Sequence, residues 1–279
     1  MTTLYVSDMD GTLLNRESRV SERSASIISE LSRRGALITV ATARTPATVE
    51  PLLAGTYTSI PAIVMTGSAL WDRENRRYID PRFIDSDTAA LIVSIARSHG
   101  VDPFIYTLGD DGVLDVYKRT PLSDTDRRFI EERSHLELKR FLIDDSRDRS
   151  LADKKVMLMF AGGPKDLISE VAAEVRRCAD CSPGSYLDIF DPAVGYLDIY
   201  SRGTDKADAV RRLAAHVGAG RVVVFGDNLN DIPMMRSADL AVAVENALPE
   251  VKEVAHKVIG SNVDDAVARF IAEDFSGRQ

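Results

Sequence analysis

The first hydrophobic stretches of the chain are short, and segments with helical spacing separate them. Apolar, β-rich runs predict strands at 4–6, 37–41 and 62–65. Between the first two runs, Ser21 is a good N-cap and Gly35 a good stop for a helix, and Thr45-Pro46 begins another. Strands separated by segments of helical length indicate a parallel sheet with right-handed crossovers.

The pattern changes in the middle of the chain. Strands are predicted at 78–84, 104–106, 113–117, 156–160, 187–190 and 196–200. A hairpin turn is expected at 109–112, a charged and exposed segment at 144–153, and a helix around 167–175. This mixture predicts an inserted α+β domain.

The first pattern then returns, with a helix that starts at Lys206 and strands at 222–225 and 240–244. Further helices are predicted from Pro249 and over 264–272. We therefore predict an α/β fold with a discontinuous, Rossmann-like parallel-sheet core. The core occupies 1–82 and 201–279, and the inserted α+β domain occupies 83–200.

Two carboxylates, Asp8 and Asp10, follow the first predicted strand directly, and Gly11 allows a sharp turn after them. The C-terminal ends of parallel strands are where ligands bind in open α/β sheets. Such a pair suits a hard cation, or one carboxylate that attacks while the other moves a proton. By itself, the pair is equally compatible with an acidic surface turn.

A second acidic cluster, Asp227 and Asp231, follows the strand at 222–225. If the two strands are neighbours, Asp8, Asp10 and Asp227 converge and repel one another. Mg²⁺, which prefers oxygen ligands, would relieve that repulsion.

Two more polar residues are candidates for binding an anion because of where they lie in the predicted elements. Thr42 ends the second strand, where a hydroxyl and backbone N–H groups suit phosphate oxygens. Lys206 begins a helix, where the helix dipole disfavours a cation, so its position indicates an anionic partner. Taken singly, Thr42 is as compatible with a strand end or helix cap, and Lys206 with a solvated side chain.

Composition narrows the function classes. The chain has 279 residues, of which 44% are hydrophobic and 28% charged, and its net charge of -8 disfavours nucleic acid as a partner. We expect no membrane span and no signal peptide, and cytoplasm is the expected location. Cys178 and Cys181 form a single Cys-x-x-Cys, too few ligands for structural zinc. A redox role for them stays open.

Four segments in this order resemble the haloacid dehalogenase (HAD) superfamily. They are Asp8-Met9-Asp10-Gly11-Thr12-Leu13-Leu14, then Thr42, then Lys206, then Gly226-Asp227-Asn228-Leu229-Asn230-Asp231. The large insert between Thr42 and Lys206 is similar to the C2 (C2B) cap of the Cof-type phosphatase branch. Segments 242–247, 251–255 and 261–262 also resemble that branch.

The resemblance implies a role for each matching residue. Asp8 would be the nucleophile that forms an aspartyl-phosphate, and Asp10 the general acid and base. Asp8, the Asp10 carbonyl and Asp227 would bind Mg²⁺, and Asp231 would support the metal shell or the lysine. The expected phosphate-binding residues are Thr42, Lys206 and Asn230.

Three positions depart from the branch pattern. Ala43 stands where Gly is frequent, Thr66-Gly67-Ser68-Ala69 stands where Asn-Gly-Ala is usual, and Ala266 replaces a frequent Gly. None of these changes removes a catalytic group.

The function that follows is a Mg²⁺-dependent phosphatase of small phosphorylated metabolites, with sugar phosphates as the expected class. A phosphomutase of the same superfamily is the alternative enzyme, and a non-catalytic sensor of phosphorylated ligands is the alternative binding protein. The sequence does not determine the oligomeric state, and a monomer is compatible with it.

Overall fold

The computed structural model describes residues 2–144, 150–188 and 191–277, which form two compact units. One unit combines Met1–Asp80 with Asp205–Gln279, and the other is Pro81–Thr204. The predicted division into a core of 1–82 and 201–279 and a functional cap of 83–200 stays a prediction.

The first part of the discontinuous unit alternates strands and helices before it forms an antiparallel hairpin sheet. In chain order its elements are β1 (Thr3–Ser7), α1 (Glu22–Arg33), β2 (Leu37–Val40), α2 (Pro46–Leu52), β3 (Ala62–Val64), β4 (Ala69–Asp72) and β5 (Arg77–Ile79). All five residues of β1 are buried, as expected for a strand covered on both faces. Ser21 caps α1 by accepting a hydrogen bond from the backbone N–H of Ser24.

The unit Pro81–Thr204 is an α+β structure. Its elements are α3 (Ser86–Ser98), β6 (Phe104–Leu108), β7 (Leu114–Arg119), α4 (Asp124–Glu131), β8 (Lys139–Asp144), β9 (Val156–Pro164), α5 (Lys165–Cys178), β10 (Cys181–Leu187) and β11 (Val194–Ser201). Its six-stranded sheet has the order β10-β11-β9-β6-β7-β8, and only β7 and β8 run parallel.

Alternation along β11 separates the two faces of this sheet. Leu197 and Ile199 join the hydrophobic core formed with α3 and α5, whereas Tyr196, Asp198 and Tyr200 lie on the opposite face. The second face therefore combines aromatic rings with a buried carboxyl group.

The chain then completes the first unit. The remaining elements are α6 (Lys206–Val217), β12 (Arg221–Gly226), α7 (Ile232–Ser237), β13 (Leu240–Ala243), α8 (Pro249–Val254), β14 (Lys257–Val258) and α9 (Ala266–Ser276). Strands of both segments form one parallel sheet with the order β14-β13-β12-β1-β2. The predicted α/β class, parallel sheet and inserted α+β region are confirmed.

Some predicted elements differ from the structure. The strand expected at 78–84 is shorter: β5 ends at Ile79, and Ile84 makes only an isolated bridge with Val156. Of the strand expected at 187–190, Leu187 is the last residue of β10, Asp188 is not in a strand, and residues 189–190 lie outside the described residues. Within the charged segment expected at 144–153, residues 145–149 also lie outside the described part.

Two of the composition-based expectations can be compared with the fold. Among the described residues, no helix combines the length and the apolar character that crossing a membrane requires. Cys178 and Cys181 are free cysteines, the first exposed and the second partly buried.

Candidate active site

Three adjacent strands place the predicted catalytic residues at one edge of the parallel sheet. Ser7, the last residue of β1, pairs with Phe225 of β12 on one side and with Val40 of β2 on the other. Asp8 and Asp227 therefore follow the ends of neighbouring strands, which is the condition under which they were expected to converge. Thr42 follows the end of β2 in the same way.

Asp8 is held rigidly at the end of β1. Its backbone N–H donates to the carbonyl of Phe225 at 3.0 Å, and only 7% of the residue is exposed. An irregular turn over Met9–Leu13 follows, in which Gly11 has φ +77°. This positive φ suits glycine, which has no Cβ.

Lys206 bridges two carboxylates in the interior. Its Nζ donates to Oδ1 of Asp8 at 2.5 Å and to Oδ1 of Asp231 at 2.7 Å. The lysine and Asp231 side chains are fully buried. The N-cap of α6 is Asp205, whose side chain accepts the N–H of Asp208. The helix dipole disfavours a cation at the N-terminus of α6, and the two carboxylates offset this because both bind Lys206.

Asp231 also organises the loop after β12. Its Oδ2 accepts the backbone N–H groups of Asp227 and Asn228, both at 3.1 Å. The same carboxylate thus holds both the lysine and the loop that carries Asp227. Asp231 thus contacts Lys206, and its expected role in supporting the metal shell or the lysine stays a prediction.

Asp227 approaches the turn after β1. Its Oδ1 accepts a hydrogen bond from Thr12 Oγ1 at 2.7 Å. A Cβ at Gly11 would collide with Oδ2 of Asp227. Glycine is required here for close approach as well as for its backbone conformation.

These contacts bring three carboxylates together. Oxygen atoms of Asp8, Asp227 and Asp231 lie within 4.8 Å of one another. Lys206 neutralises one of the three negative charges. One divalent cation would balance the remaining two. Hard oxygen donors in this number suit Mg²⁺.

The electrostatics of the cluster reflect its burial. Burial raises the pKa of Asp8 to about 8, against the attraction of Lys206. Burial also raises the pKa of Asp227 to about 6. Burial alone would lower the pKa of Lys206, but Asp8 and Asp231 together raise it above its ordinary value. Without a further cation, the site disfavours ionisation of both Asp8 and Asp227.

The Asp10 carboxylate, which was expected to converge with Asp8 and Asp227, is not in this group of three and is paired with Arg44. Arg44 donates to Oδ2 through Nε and to Oδ1 through Nη2, each at 2.7 Å. The Asp10 side chain is 52% exposed and that of Arg44 31%. A two-pronged contact of this kind fixes the plane of the carboxylate.

The two other predicted phosphate-binding residues have different surroundings. Thr42 is buried, and its Oγ1 accepts the backbone N–H of Arg44 at 3.2 Å. Asn230 lies in the turn Leu229–Asp231 with an exposed side chain, which makes no hydrogen bond to another described residue. Their roles stay predictions.

The turn Met65–Gly67 contacts the Thr42 loop. The backbone N–H of Thr66 donates to the Thr42 carbonyl at 2.9 Å, and that of Met65 to the Arg44 carbonyl at 3.0 Å. Met65 and Thr66 have φ of 51° and 55°. The left-handed region is unfavourable for such side chains and easier for Asn, so this departure from the branch pattern has a local cost.

Sequence reasoning assigned no role to Arg44, Thr12 or Asn246. Thr12 binds Asp227, and Asn246 Nδ2 donates to the Gly11 carbonyl at 2.7 Å. Thr12 lies inside the first motif, Arg44 two residues after Thr42, and Asn246 inside the segment 242–247, but none of these positions shows which group the side chain contacts. Asn246 is remote in sequence and becomes part of the site only through the fold.

Comparison with known proteins places this geometry in a family. The family model described as haloacid dehalogenase-like hydrolase matches residues 5–271. A curated relative from Bacillus subtilis (strain 168), the 5-amino-6-(5-phospho-D-ribitylamino)uracil phosphatase YcsE, is 26% identical over 271 residues. The alignment covers 96% of this chain and 94% of the relative.

Solved structures agree with the fold. A haloacid dehalogenase-like hydrolase from Bacteroides thetaiotaomicron superposes with a TM-score of 0.76 at 21% identity, covering 99% of this chain and 100% of the other. The HAD subclass IIB sugar phosphatase BT4131 superposes with a TM-score of 0.71 at 20% identity, covering 99% of both chains. At these identities the likeness concerns the fold.

Proposed function

The chain belongs to the haloacid dehalogenase-like hydrolase family and is a phosphatase of that family, and on this premise we propose a Mg²⁺-dependent hydrolysis of small phosphorylated metabolites through an aspartyl-phosphate. The observation that carries the proposal is the buried Lys206 between Asp8 and Asp231, with Asp227 beside them. An arrangement of this kind concentrates charge where phosphoryl transfer needs positioning and neutralisation.

The side chains of Asp8 and Asp10 have distinct tasks in this reaction. Lys206 holds Oδ1 of Asp8 and fixes the carboxylate plane, which leaves Oδ2 to attack phosphorus. The bond from phosphorus to the leaving oxygen breaks, and the carboxyl group of Asp10 gives that oxygen a proton.

The second step returns the enzyme to its starting state. Water attacks phosphorus of the aspartyl-phosphate, and Asp10 takes the proton of that water. The bond between phosphorus and Asp8 breaks, and inorganic phosphate leaves. Arg44 binds both oxygens of the Asp10 carboxylate, the form that accepts the proton of water in this second step, and so orients it.

The donor set supports magnesium as the metal. Asp8, Asp227 and the backbone carbonyl of Asp10 are the ligands we propose, with Asp231 behind them. Bound there, Mg²⁺ would supply positive charge that offsets the charge of the phosphoryl oxygens. Thr42, Lys206 and Asn230 are the proposed contacts to those oxygens.

Sugar phosphates and related phosphomonoesters are the substrate class we propose. The relative YcsE is named for a phosphate carried on a ribityl chain, and BT4131 is named a sugar phosphatase. A suitable assay panel therefore contains 5-amino-6-(5-phospho-D-ribitylamino)uracil, D-ribitol 5-phosphate and several hexose phosphates.

The experiment measures phosphate release from this panel by the whole chain, with Mg²⁺, with EDTA, and with the variant Asp8→Asn. We expect release with Mg²⁺ only, and loss in Asp8→Asn because the amide is not a nucleophile. The matched control is Asp87→Asn, which changes an exposed residue of α3. Equal rates in all conditions would overturn the proposal, and an isomeric phosphate in place of free phosphate would indicate a mutase.

A further inference from the structure

Three backbone segments of the discontinuous unit meet beside the acidic cluster. They are the turn Met9–Leu13 after β1, the loop 244–248 after β13, and the segment 260–262 before α9. In the parallel sheet β13 is the neighbour of β12, and β12 is the neighbour of β1, so the first two segments leave the same edge. Asparagine side chains join these segments to one another.

Asn246 connects the loop after β13 to the turn that carries Asp10. Its Nδ2 donates to the Gly11 carbonyl at 2.7 Å. Gly11 is the residue next to Asp10, whose backbone carbonyl is a proposed ligand of Mg²⁺. The side-chain amide of Asn246 therefore restrains the backbone directly beside that carbonyl.

A second asparagine binds the end of the same turn. Nδ2 of Asn262 donates to the Leu14 carbonyl, also at 2.7 Å. The two asparagines contact each other as well, because Oδ1 of Asn246 accepts the backbone N–H of Asn262 at 3.1 Å. The same Oδ1 accepts a hydrogen bond from Ser261 Oγ at 3.4 Å. Asn246 thus uses both ends of its amide, the donor and the acceptor.

The loop after β13 also contacts the segment that carries Asp227. The backbone N–H of Leu248 donates to the Asp227 carbonyl at 2.9 Å. Within the loop, the N–H of Ala247 closes a turn on the Val244 carbonyl at 3.0 Å. One short loop is therefore hydrogen-bonded to both segments that carry proposed metal ligands.

The glycine at position 11 makes an external restraint necessary. Asp227 approaches this residue so closely that only glycine fits, and glycine has the least restricted backbone of all residues. Arg44 holds the Asp10 side chain on one side of the peptide group between Asp10 and Gly11. Asn246 holds the Gly11 carbonyl on the other side. The orientation of the Asp10 carbonyl is therefore restrained from both sides.

We propose that Asn246 is a positioning residue for the metal site, and that it orients the backbone carbonyl of Asp10 through its hydrogen bond to Gly11. The inference rests on the proposed function, because that function assigns the Asp10 carbonyl to Mg²⁺. It adds to the site a residue that lies 235 positions from Gly11 in the sequence. In this role Asn246 contacts neither the metal nor the phosphoryl group and acts only through the turn.

The test measures Mg²⁺ binding by the whole chain, both directly and through activity. Asn246→Ala removes the amide, and calorimetric titration with Mg²⁺ is expected to give a Kd about 2- to 12-fold higher, the range for one lost hydrogen bond. In phosphate-release assays, the Mg²⁺ concentration that gives half the maximal rate should rise by the same factor. The rate at saturating Mg²⁺ and the KM for the phosphomonoester should stay within about twofold of the parent values.

Two matched substitutions separate this effect from a general loss of structure. Asn262→Ala removes an amide-to-carbonyl hydrogen bond of the same length, but at Leu14, so the Kd for Mg²⁺ should rise less than in Asn246→Ala. Asn75→Ala removes an exposed asparagine of the same unit, one that donates to Asp72 in the turn between β4 and β5. This variant is expected to bind Mg²⁺ as the parent chain does.

An unchanged Kd in Asn246→Ala, or a rise no larger than that in Asn262→Ala, would overturn the inference. A rate that stays low at saturating Mg²⁺ together with a lower Tm would do the same, because that combination indicates general loss of structure. Absence of Mg²⁺ binding by the parent chain would also overturn it, whatever the activity.

The direct titration keeps this inference distinct from the proposed function. If the chain binds Mg²⁺ but releases no phosphate from any phosphomonoester of the panel, the proposed function fails. A higher Kd in Asn246→Ala would still support the positioning role in that case. Phosphate release with an unchanged Kd would support the proposed function and overturn the inference alone.

Discussion

Replacement of Lys206 by methionine tests the central electrostatic feature of the site. Nζ of this lysine contacts Asp8 at 2.5 Å and Asp231 at 2.7 Å, and the three side chains are 0%, 9% and 0% exposed. Methionine fills similar volume but carries no charge. The substitution leaves two buried carboxylates facing each other without a cation.

The size of the effect follows from this burial. Removing one partner of a buried ion pair costs about 3–5 kcal/mol, because the remaining charge keeps its desolvation cost. For a protein of this size, about 1 kcal/mol corresponds to roughly 2–4 °C in Tm. We therefore expect Lys206→Met to melt about 6–20 °C lower in the absence of metal.

Thermal unfolding is measured by calorimetry in the presence of EDTA. Calorimetry resolves separate transitions if the two units unfold independently. Lys252→Met is the matched control, since this lysine lies in α8 of the same unit and is partly exposed. Asp231→Asn in the Lys206→Met background then tests the coupling. Asp231→Asn should lower the free energy of unfolding by about 0.5–3 kcal/mol less in the Lys206→Met background than in the parent protein. The reason is that Asp8 and Asp231 repel each other only when the lysine is absent.

Melting of Lys206→Met within about 2 °C of Lys252→Met would refute the reasoning, since it would mean that the buried charge network contributes little to folding. Strict additivity of the Lys206 and Asp231 substitutions would refute the coupling. Either result would separate the stability of the site from its chemistry.

Three further predictions concern single side chains. Arg44→Gln should lower kcat about 5- to 30-fold in steady-state assays, because two partly exposed charge-assisted hydrogen bonds to Asp10 are worth about 1–2 kcal/mol after screening by solvent; an unchanged kcat would contradict this. Thr66→Asn should raise Tm by about 2–4 °C, because Asn tolerates the φ of 55° better, and a lower Tm would show that the threonine contacts matter more. Burial raises the pKa of Asp198 to about 7, above its ordinary value, so this group favours folding at low pH and loses that contribution as pH rises towards 7. Asp198→Asn should therefore reduce the pH dependence of the free energy of unfolding between pH 4 and 7 and stabilise the protein at pH 8. An unchanged pH dependence would contradict the raised pKa.

The parts of the fold that could be predicted are those with a strong local signal. The strands at 4–6, 37–41 and 222–225 are confirmed, with β2 ending at Val40, because parallel strands that are covered on both faces are apolar throughout. The sequence left open whether these strands are neighbours, and the register at Ser7 shows that they are. The strand predicted at 78–84 was wrong because an apolar and aromatic stretch does not show where pairing stops.

The candidate site also contains residues that the sequence indicates and residues that it does not. From the sequence, Asp8, Asp10 and Asp227 were expected to converge if their strands are neighbours, and the family resemblance added Lys206 and Asp231. The structure groups Asp8, Asp227 and Asp231, with Lys206 bound to Asp8 and Asp231. The partners of Asp10 and Asp227 could not be predicted, because Arg44 and Thr12 reach them through a loop conformation and a turn. Motif spacing identifies the reacting groups, whereas the groups that orient them depend on tertiary contacts.

Packing inside the unit Pro81–Thr204 is harder to predict than the catalytic motifs for a physical reason. Three stacked rings join Phe129 of a short helix to Phe160 and Tyr196 of two different strands, and they need Gly162 to lie beneath the tyrosine. A period of two in β11 predicts that Tyr196 and Asp198 share a face, but not which rings cover that face. The stacking therefore depends on the pairing of β9 with β11, and Gly162→Ala should lower Tm, because the added Cβ would lie 2.9 Å from Cε1 of Tyr196.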